Sequence, residues 1–317
     1  MKKIVSLILA LALCIGACVS LASCGETTIK INPDKENYVI GICQLMAHES
    51  LDKATEGFKD ALTAKLTAAG RTVEFDVQVP GDANLCTTVV NTFIAKDVDL
   101  IMANATPALT AASYATSVIP VLGTSVTDYD STFGGSIPAN VSGTSDAVPF
   151  DEQAQMMIDT LGLKSGDKVG VIYCSNESNS LIQYNAVKAL FEAEGITATA
   201  YTFSSTNELS AIVTQAASDC KAIYVPSDNT VANNDTVVGT ICSENNIPVY
   251  TSYSSSICYA SLAIDYYDLG YKTGEMAADI LLGNKAMADV SVATLTPSVV
   301  YNEEICAALG ITVPSEN

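Results

Sequence analysis

From Tyr38 onward, one order of short apolar runs and amphipathic stretches occurs twice, and this repeat restricts the fold more than any other feature of the chain. YVIGICQ, TVEFDVQV, VDLIMAN and IPVLGTS read as strands, most of them apolar throughout, as strands covered on both faces are. Between them, SLDKATEGFKDALTAKLTAAG, NLCTTVVNTFIAK and TPALTAASYAT carry helical spacing. Gly70 closes the first helix, and the third is expected to start with Thr106 as N-cap and Pro107 in its first turn. The order then returns as KVGVIYC, NSLIQYNAVKALFEAEG, ITATAYTF, ELSAIVTQAAS, KAIYVPSDN, VANNDTVVGTICSEN and IPVYTSY. Gly41 recurs as Gly170, Gly70 as Gly195, and Ile119-Pro120 as Ile247-Pro248. The unit is far longer than the ~20–50 residues of a solenoid repeat. It predicts an α/β fold of two Rossmann-like lobes with parallel sheets, joined by a multi-strand hinge.

After the second unit come a strand ASLAIDY, a helix DLGYKTGEMAADILLG, a strand SVVYN and a short helix EEICAALG. The tail is expected to return to the first lobe and cross back. Lobe one is then 38–147 plus about 263–285, and lobe two 148–262 plus about 286–317, with hinge strands near 146–149 and 258–264.

Ligands of open parallel sheets bind beyond the carboxyl ends of the strands. Two such sheets facing each other place Gln44–His48, Ala103–Thr106 and Gly123–Thr127 of one lobe across a cleft from Cys174–Ser180, Pro226–Thr230 and Thr251–Ser254 of the other. Gln44, Thr124 and Ser125 are candidates from the first set. Thr106 and the Ser178-Asn179-Ser180 turn stand at helix N-termini, where free N–H groups suit a carboxylate. Asp228 follows a strand and is expected to take a ligand ammonium, with helix capping as its competing role; Glu177 has the same ammonium role open to it. Asp265 falls at the third crossover. Tyr173, Tyr253 and Phe133 are candidate walls for an apolar side chain. His48, the one histidine, is expected to contact ligand.

The charge balance, 15 Lys+Arg against 35 Asp+Glu, repels phosphate backbones and excludes nucleic acid as a partner. One histidine leaves no His-based metal site, and no metal or cofactor is expected. GxGxxG, GxxxxGK[ST], CxxC and GxSxG motifs are all absent. A hydrolase or racemase remains as a rival, since Cys43 and Cys174 fall at matching strand ends and could face each other.

Residues 1–23 read as a signal peptide: Lys2 and Lys3, then an apolar run from Ile4 to Val19 that is short for a membrane span. Leu21-Ala22-Ser23-Cys24 resembles the bacterial lipobox, which implies lipidation of Cys24 and anchoring on the outer face of the cell membrane. Residues 24–37 are expected to be a tether.

Several segments resemble ABC transporter substrate-binding lipoproteins of the tryptophan/tyrosine-binding type. They are IGICQLMAHESLDKATEGFKDAL, NATPA, IPVLGTSVTDY, VSGTSD, SNESNS, YVPSDNT and IDYYDLGYKTGEMA, in order over about residues 38–311. The resemblance implies a type I periplasmic-binding-protein fold, a monomer that closes on a small amino acid, and delivery to an ABC permease. The family's first-loop His falls on His48, and its Thr-Pro-Ala turn on Thr106. Its Glu-x-Asn-Ser turn falls on Glu177, Asn179 and Ser180, its Asp-Asn pair on Asp228 and Asn229, and its crossover Asp on Asp265. Glu49 stands where the family often has Pro, and Met46 precedes the His; both changes flank the expected ring pocket. An aromatic amino acid is the ligand implied, with a sugar, nucleoside or other amino acid as the alternative.

Overall fold

The computed structural model describes residues 29–314. The lipobox and signal-peptide readings lie outside that range. The first sheet is built from β1 (Asn37–Gln44), β2 (Thr72–Gln78), β3 (Leu100–Asn104), β4 (Val121–Val126), β5 (Val141–Ser145) and β11 (Ala293–Thr294), in the order β11-β5-β4-β3-β1-β2 and parallel throughout. The second holds β6 (Lys168–Cys174), β7 (Thr197–Phe203), β8 (Ala222–Val225), β9 (Val249–Thr251), β10 (Ala260–Ala263) and β12 (Ser298–Tyr301), in the order β12-β10-β9-β8-β6-β7. Only β12, at the edge, runs antiparallel there. The α/β fold of two Rossmann-like lobes is as the repeat predicts.

Helices cover both faces of each sheet, as parallel strands require. Around the first lie α1 (Glu49–Ala68), α2 (Ala83–Ala95), α3 (Thr106–Ala115) and the short α4 (Tyr129–Thr132). Around the second lie α5 (Phe150–Leu161), α6 (Ser178–Ala193), α7 (Thr206–Asp219), α8 (Asn229–Ala232), α9 (Asp235–Glu244) and α11 (Glu303–Leu309). α10 (Tyr266–Leu281) returns to pack on α1. The apolar alternation along β1 shows the consequence: Ile40 and Ile42 join Phe58, Leu62 and Ile280 on one face, while Cys43 joins Val90 and Phe93 on the other.

Four expectations change. β11 pairs with β5 in the first sheet, so the chain leaves that lobe after Thr294 and not near 286. Segment 146–149 belongs to no strand, its backbone bond to β4 being Asp146 N to Val126 O at 3.2 Å, and Pro149 ends it, so it is a connector. The helix expected over 231–245 breaks at Asn233-Asn234, where Asn234 Nδ2 donates to Thr230 O at 2.8 Å. Such side chains compete with the backbone for helical partners. The expected tether is partly docked: Ile29 and Ile31 pack on the first lobe, and Lys30 N donates to Val118 O at 2.7 Å.

The chain therefore passes between the sheets three times, at 146–149, 264–265 and 295–297. Among the described residues no helix is long and apolar enough to cross a membrane.

Candidate functional site

The carboxyl ends of the two sheets face each other and close on a gap of about 10 Å³, room for no more than one water, so a solute enters only when the lobes part. His48, Ser50, Leu51 and Ser125 line this space from the first lobe, and Ser227, Asp228, Asn229, Ala232 and Tyr253 from the second. Asp146 and Tyr266 line it from two of the crossings. Larger grooves lie on the outer surface, the biggest between the C-terminus of α5 and the chain end. One of about 430 Å³ lies between the lobes beside the strand ends, lined by Pro107 and Thr110 of the first and by Asn176 and Ser178 of the second.

The first-lobe half is built on strained backbone. Ala105 has φ 91 and Ser125 φ 56, conformations uncommon outside glycine. Ser125 lies within the stretch, between Gly123 and Val126, where the β4–β5 register slips. Ala105, not Thr106, occupies the cap position of α3, and it offers no side-chain bond. Thr106 is the first helical residue and its Oγ1 is buried without a partner, as is Ser125 Oγ. Asp146 Oδ1, Asn179 Oδ1 and Tyr253 OH are in the same state. Asn104 Oδ1, at the end of β3, is a sixth, and since buried polar atoms are almost always paired, this gathering of orphans around the facing strand ends marks a place built for polar groups the chain does not itself supply.

The second-lobe half is held by two carboxylates. Glu177 Oε2 accepts from Asn229 N at 2.9 Å and Asn229 Nδ2 at 2.7 Å, while Oε1 accepts from Thr230 N at 2.8 Å and Thr230 Oγ1 at 2.7 Å. Asp228 Oδ1 accepts from Val231 N at 2.8 Å, capping α8, and Oδ2 accepts from Cys174 N at 2.8 Å and Ser180 Oγ at 2.7 Å. Burial, with Glu177 nearby, pushes the Asp228 carboxyl well above the usual range. Asn179 Nδ2 donates to Ser227 O at 2.8 Å.

Two hydrogen bonds cross the cleft. His48 Nε2–H donates to Asn229 Oδ1 at 3.3 Å, and Gln183 Nε2 donates to Thr127 Oγ1 at 3.3 Å. Burial lowers the His48 pKa, which favours the neutral ring.

Of the residues singled out in the sequence, His48, Ser125, Asp228, Asn229 and Tyr253 line the space. Glu177 and Ser180 stand behind it as supports, and Thr106 and Asn179 contribute orphaned oxygens near it. Gln44 is tied up locally: Nε2 donates to Asp52 Oδ1 and Met46 O, and Oε1 accepts from Thr55 Oγ1. Thr124 is committed to a buried hydroxyl chain through Thr144 to Thr273. Asp265 is exposed and caps α10 through Asp268 N at 3.1 Å, so it does not join the others. Tyr173 stacks on Tyr184 inside the second lobe, and Phe133 packs on the first-lobe core. Cys43 and Cys174 are buried in the cores of separate lobes, and the facing thiol pair needed by a racemase does not form. Asp146 and Tyr266 fall in two of the resemblance segments, VSGTSD and IDYYDLGYKTGEMA, at or beside expected crossings, but neither is singled out there as a site residue.

A family model described as ABC transporter substrate binding protein matches residues 39–316. A tyrosine-binding protein of Clostridioides difficile (strain R20291) is 33% identical, with 97% of this chain and 92% of that protein covered. A Streptococcus pneumonia ABC domain solved in complex with L-Trp is 31% identical and superposes with a TM-score of 0.79 over 88% of this chain and 96% of that one. A ligand-free, open substrate binding protein with adhesive properties from Clostridium difficile is 33% identical over the same shares, with a TM-score of 0.66. At nearly equal identity the two lobes thus match the ligand-bound arrangement better than the open one.

Proposed function

The chain belongs to the ABC transporter substrate binding protein family, and on that footing we propose that it captures an aromatic amino acid between its lobes and presents the closed form to its permease. The observation that carries the reading is the nearly closed interlobe gap, lined by the unpartnered Ser125 Oγ, Asp146 Oδ1 and Tyr253 OH, with Thr106 Oγ1 and Asn179 Oδ1 unpartnered at the neighbouring strand ends. Thr106 Oγ1, Ser125 Oγ and Asn179 Oδ1 offer polar contacts, with His48 and Asn229 closing over the ligand. Tyr253 and Leu51 give the ring its apolar walls, which stabilise by ~25 cal/mol per Å² buried. Glu177, Asp228 and Ser180 hold the second-lobe half in shape. The names of the relatives, tyrosine-binding in one case and L-Trp-bound in another, support the choice of ligand class.

Titration with tryptophan, tyrosine and phenylalanine tests this. At 100 times its dissociation constant a ligand adds ~2.7 kcal/mol of stability. Contacts from both lobes favour closure only in the bound state, so small-angle scattering should report a smaller radius of gyration at constant far-UV dichroism. A stability gain with a sugar or nucleoside, and none with these amino acids, overturns the assignment.

We also propose that the protein is an extracytoplasmic lipoprotein anchored through Cys24, working as a monomer. Cells expressing Cys24→Ala should incorporate no labelled palmitate into the protein; label in the variant refutes the anchor.

A further inference from the structure

Asp146, in the interlobe space, has a buried carboxylate oxygen with no hydrogen-bond partner in good geometry, the Thr127 hydroxyl being the group of the chain that comes nearest to serving it. Asp146 is 6% exposed and sits at the first crossing. Its Oδ2 accepts from Tyr266 OH at 2.8 Å, while its Oδ1 is buried without a partner. Burial raises the Asp146 pKa: desolvation outweighs the hydroxyls of Tyr266 and Thr127, which favour the ionised form, and no Lys or Arg is among the residues lining the space. His48, the basic side chain that does line it, is pushed toward neutrality by its own burial.

Asp228 lines the same space under the opposite condition. Both of its oxygens already accept bonds, two of them from backbone N–H groups that have nowhere else to go. It has a structural task; Asp146 has an open acceptor. Ser125 stands beside Asp146, since Asp146 N donates to Val126 O at 3.2 Å, and its Oγ is the neighbouring orphan. A buried charge without a partner is destabilising, and proteins retain such groups mainly at functional sites.

We propose that Asp146, with Ser125 beside it, binds the ligand's ammonium and makes a charged amine the required feature of the solute. The assignment rests on the interlobe site proposed above and goes beyond it by naming the group that excludes sugars, nucleosides and des-amino acids. It replaces Asp228, which the sequence had suggested for this role. An ammonium supplies both things the corner lacks, a positive charge for the carboxylate and donors for Oδ1 and Ser125 Oγ. Because Asp146 is tied to Tyr266, ligand binding here acts on two of the three crossings about which the lobes move.

Calorimetric titration of wild type and Asp146→Asn tests it with L-tyrosine, L-tryptophan, 3-(4-hydroxyphenyl)propionate, which lacks the amine, and tyramine, which keeps it. Wild type should bind the preferred amino acid at least 100-fold more tightly than its des-amino analogue. Asp146→Asn should lose at least 100-fold toward the amino acid and little toward the analogue, so that most of the preference for the amine disappears. The ligand-free variant should melt no lower than wild type, which separates lost recognition from lost folding. Equal affinity of variant and wild type for the amino acid overturns the assignment, as does an equal loss toward the des-amino analogue. If wild type binds an amine-bearing solute that is not aromatic, only the aromatic ligand class falls, and the same variant tests Asp146 on that solute. If it binds a solute with no amine, both fall.

Discussion

Glu177→Gln should lower the stability of the ligand-free protein by about 3 kcal/mol and abolish tight solute binding with it. Glu177 is 4% exposed, and its two oxygens each accept a backbone N–H, from Asn229 and from Thr230. Both donors are obligatory, because a peptide N–H cannot be turned round. Glutamine keeps one acceptor and places an N–H₂ group against the other N–H, so one buried donor loses its partner and a second is added facing it. Bonds to a charged acceptor contribute ~1.5–3 kcal/mol each, and a buried donor left unmade costs ~1–3 kcal/mol. The functional loss follows by position: Asn229 accepts from His48 across the cleft, and Glu177 is what holds Asn229 in place. Denaturant unfolding and calorimetry on the same sample measure both effects. A variant as stable as wild type would show that the α8 turn is fixed by other contacts.

The lobes were legible in the sequence because burial on both faces writes itself as apolar runs. Ile40, Ile42, Ile101, Met102, Val171 and Ile172 had to be apolar, and the helices between them had to carry one apolar stripe. β5 escaped for the converse reason. Its sequence, VSGTS, is buried yet polar, with Thr144 and Ser142 satisfied by Thr273 Oγ1 and Val290 O. Hydrogen bonds to residues more than a hundred positions away leave no local pattern.

The site was legible by segment more than by role. Ser125, Asn229 and Tyr253 were placed by the rule that ligands gather at strand carboxyl ends. Glu177 and Asp228 were found as well, but their type could not distinguish a ligand contact from a carboxylate that gathers backbone N–H groups. Asp265 shows the same ambiguity resolved toward capping. Asp146 and Tyr266 lie at or beside the expected crossings, in segments the resemblance covers, but an Asp after a Ser-Gly-Thr-Ser strand reads equally as a cap or a solvated turn, and its place between two sheets becomes visible only in the assembled fold.

Gly270→Ala is expected to be at least as damaging as the loss at Glu177, although it adds a single methyl group. α10 returns from the second lobe and lies on α1 with the two backbones in contact. A Cβ on Gly270 would fall well inside contact distance of Ala54 O, and one on Gly57 would do the same to Tyr267 O. At Gly274 it would sit 2.5 Å from Phe58 O. These neighbours are backbone atoms of a helix, which cannot rotate aside as a side chain could. Alanine is favoured over glycine in a helix by about 1 kcal/mol, and that gain is set against overpacking that typically costs 1–3 kcal/mol and more where nothing can yield. The helices must therefore separate, which also opens the core where Phe58, Leu62 and Ile280 meet. A net loss of about 3 kcal/mol is expected in denaturant unfolding. The displacement reaches the site through the first turn of α10, where Tyr266 holds Asp146, so solute affinity should fall along with stability. Unchanged stability would mean that α1 and α10 can part freely, and α10 would then not be the element that fixes the second crossing to the first lobe.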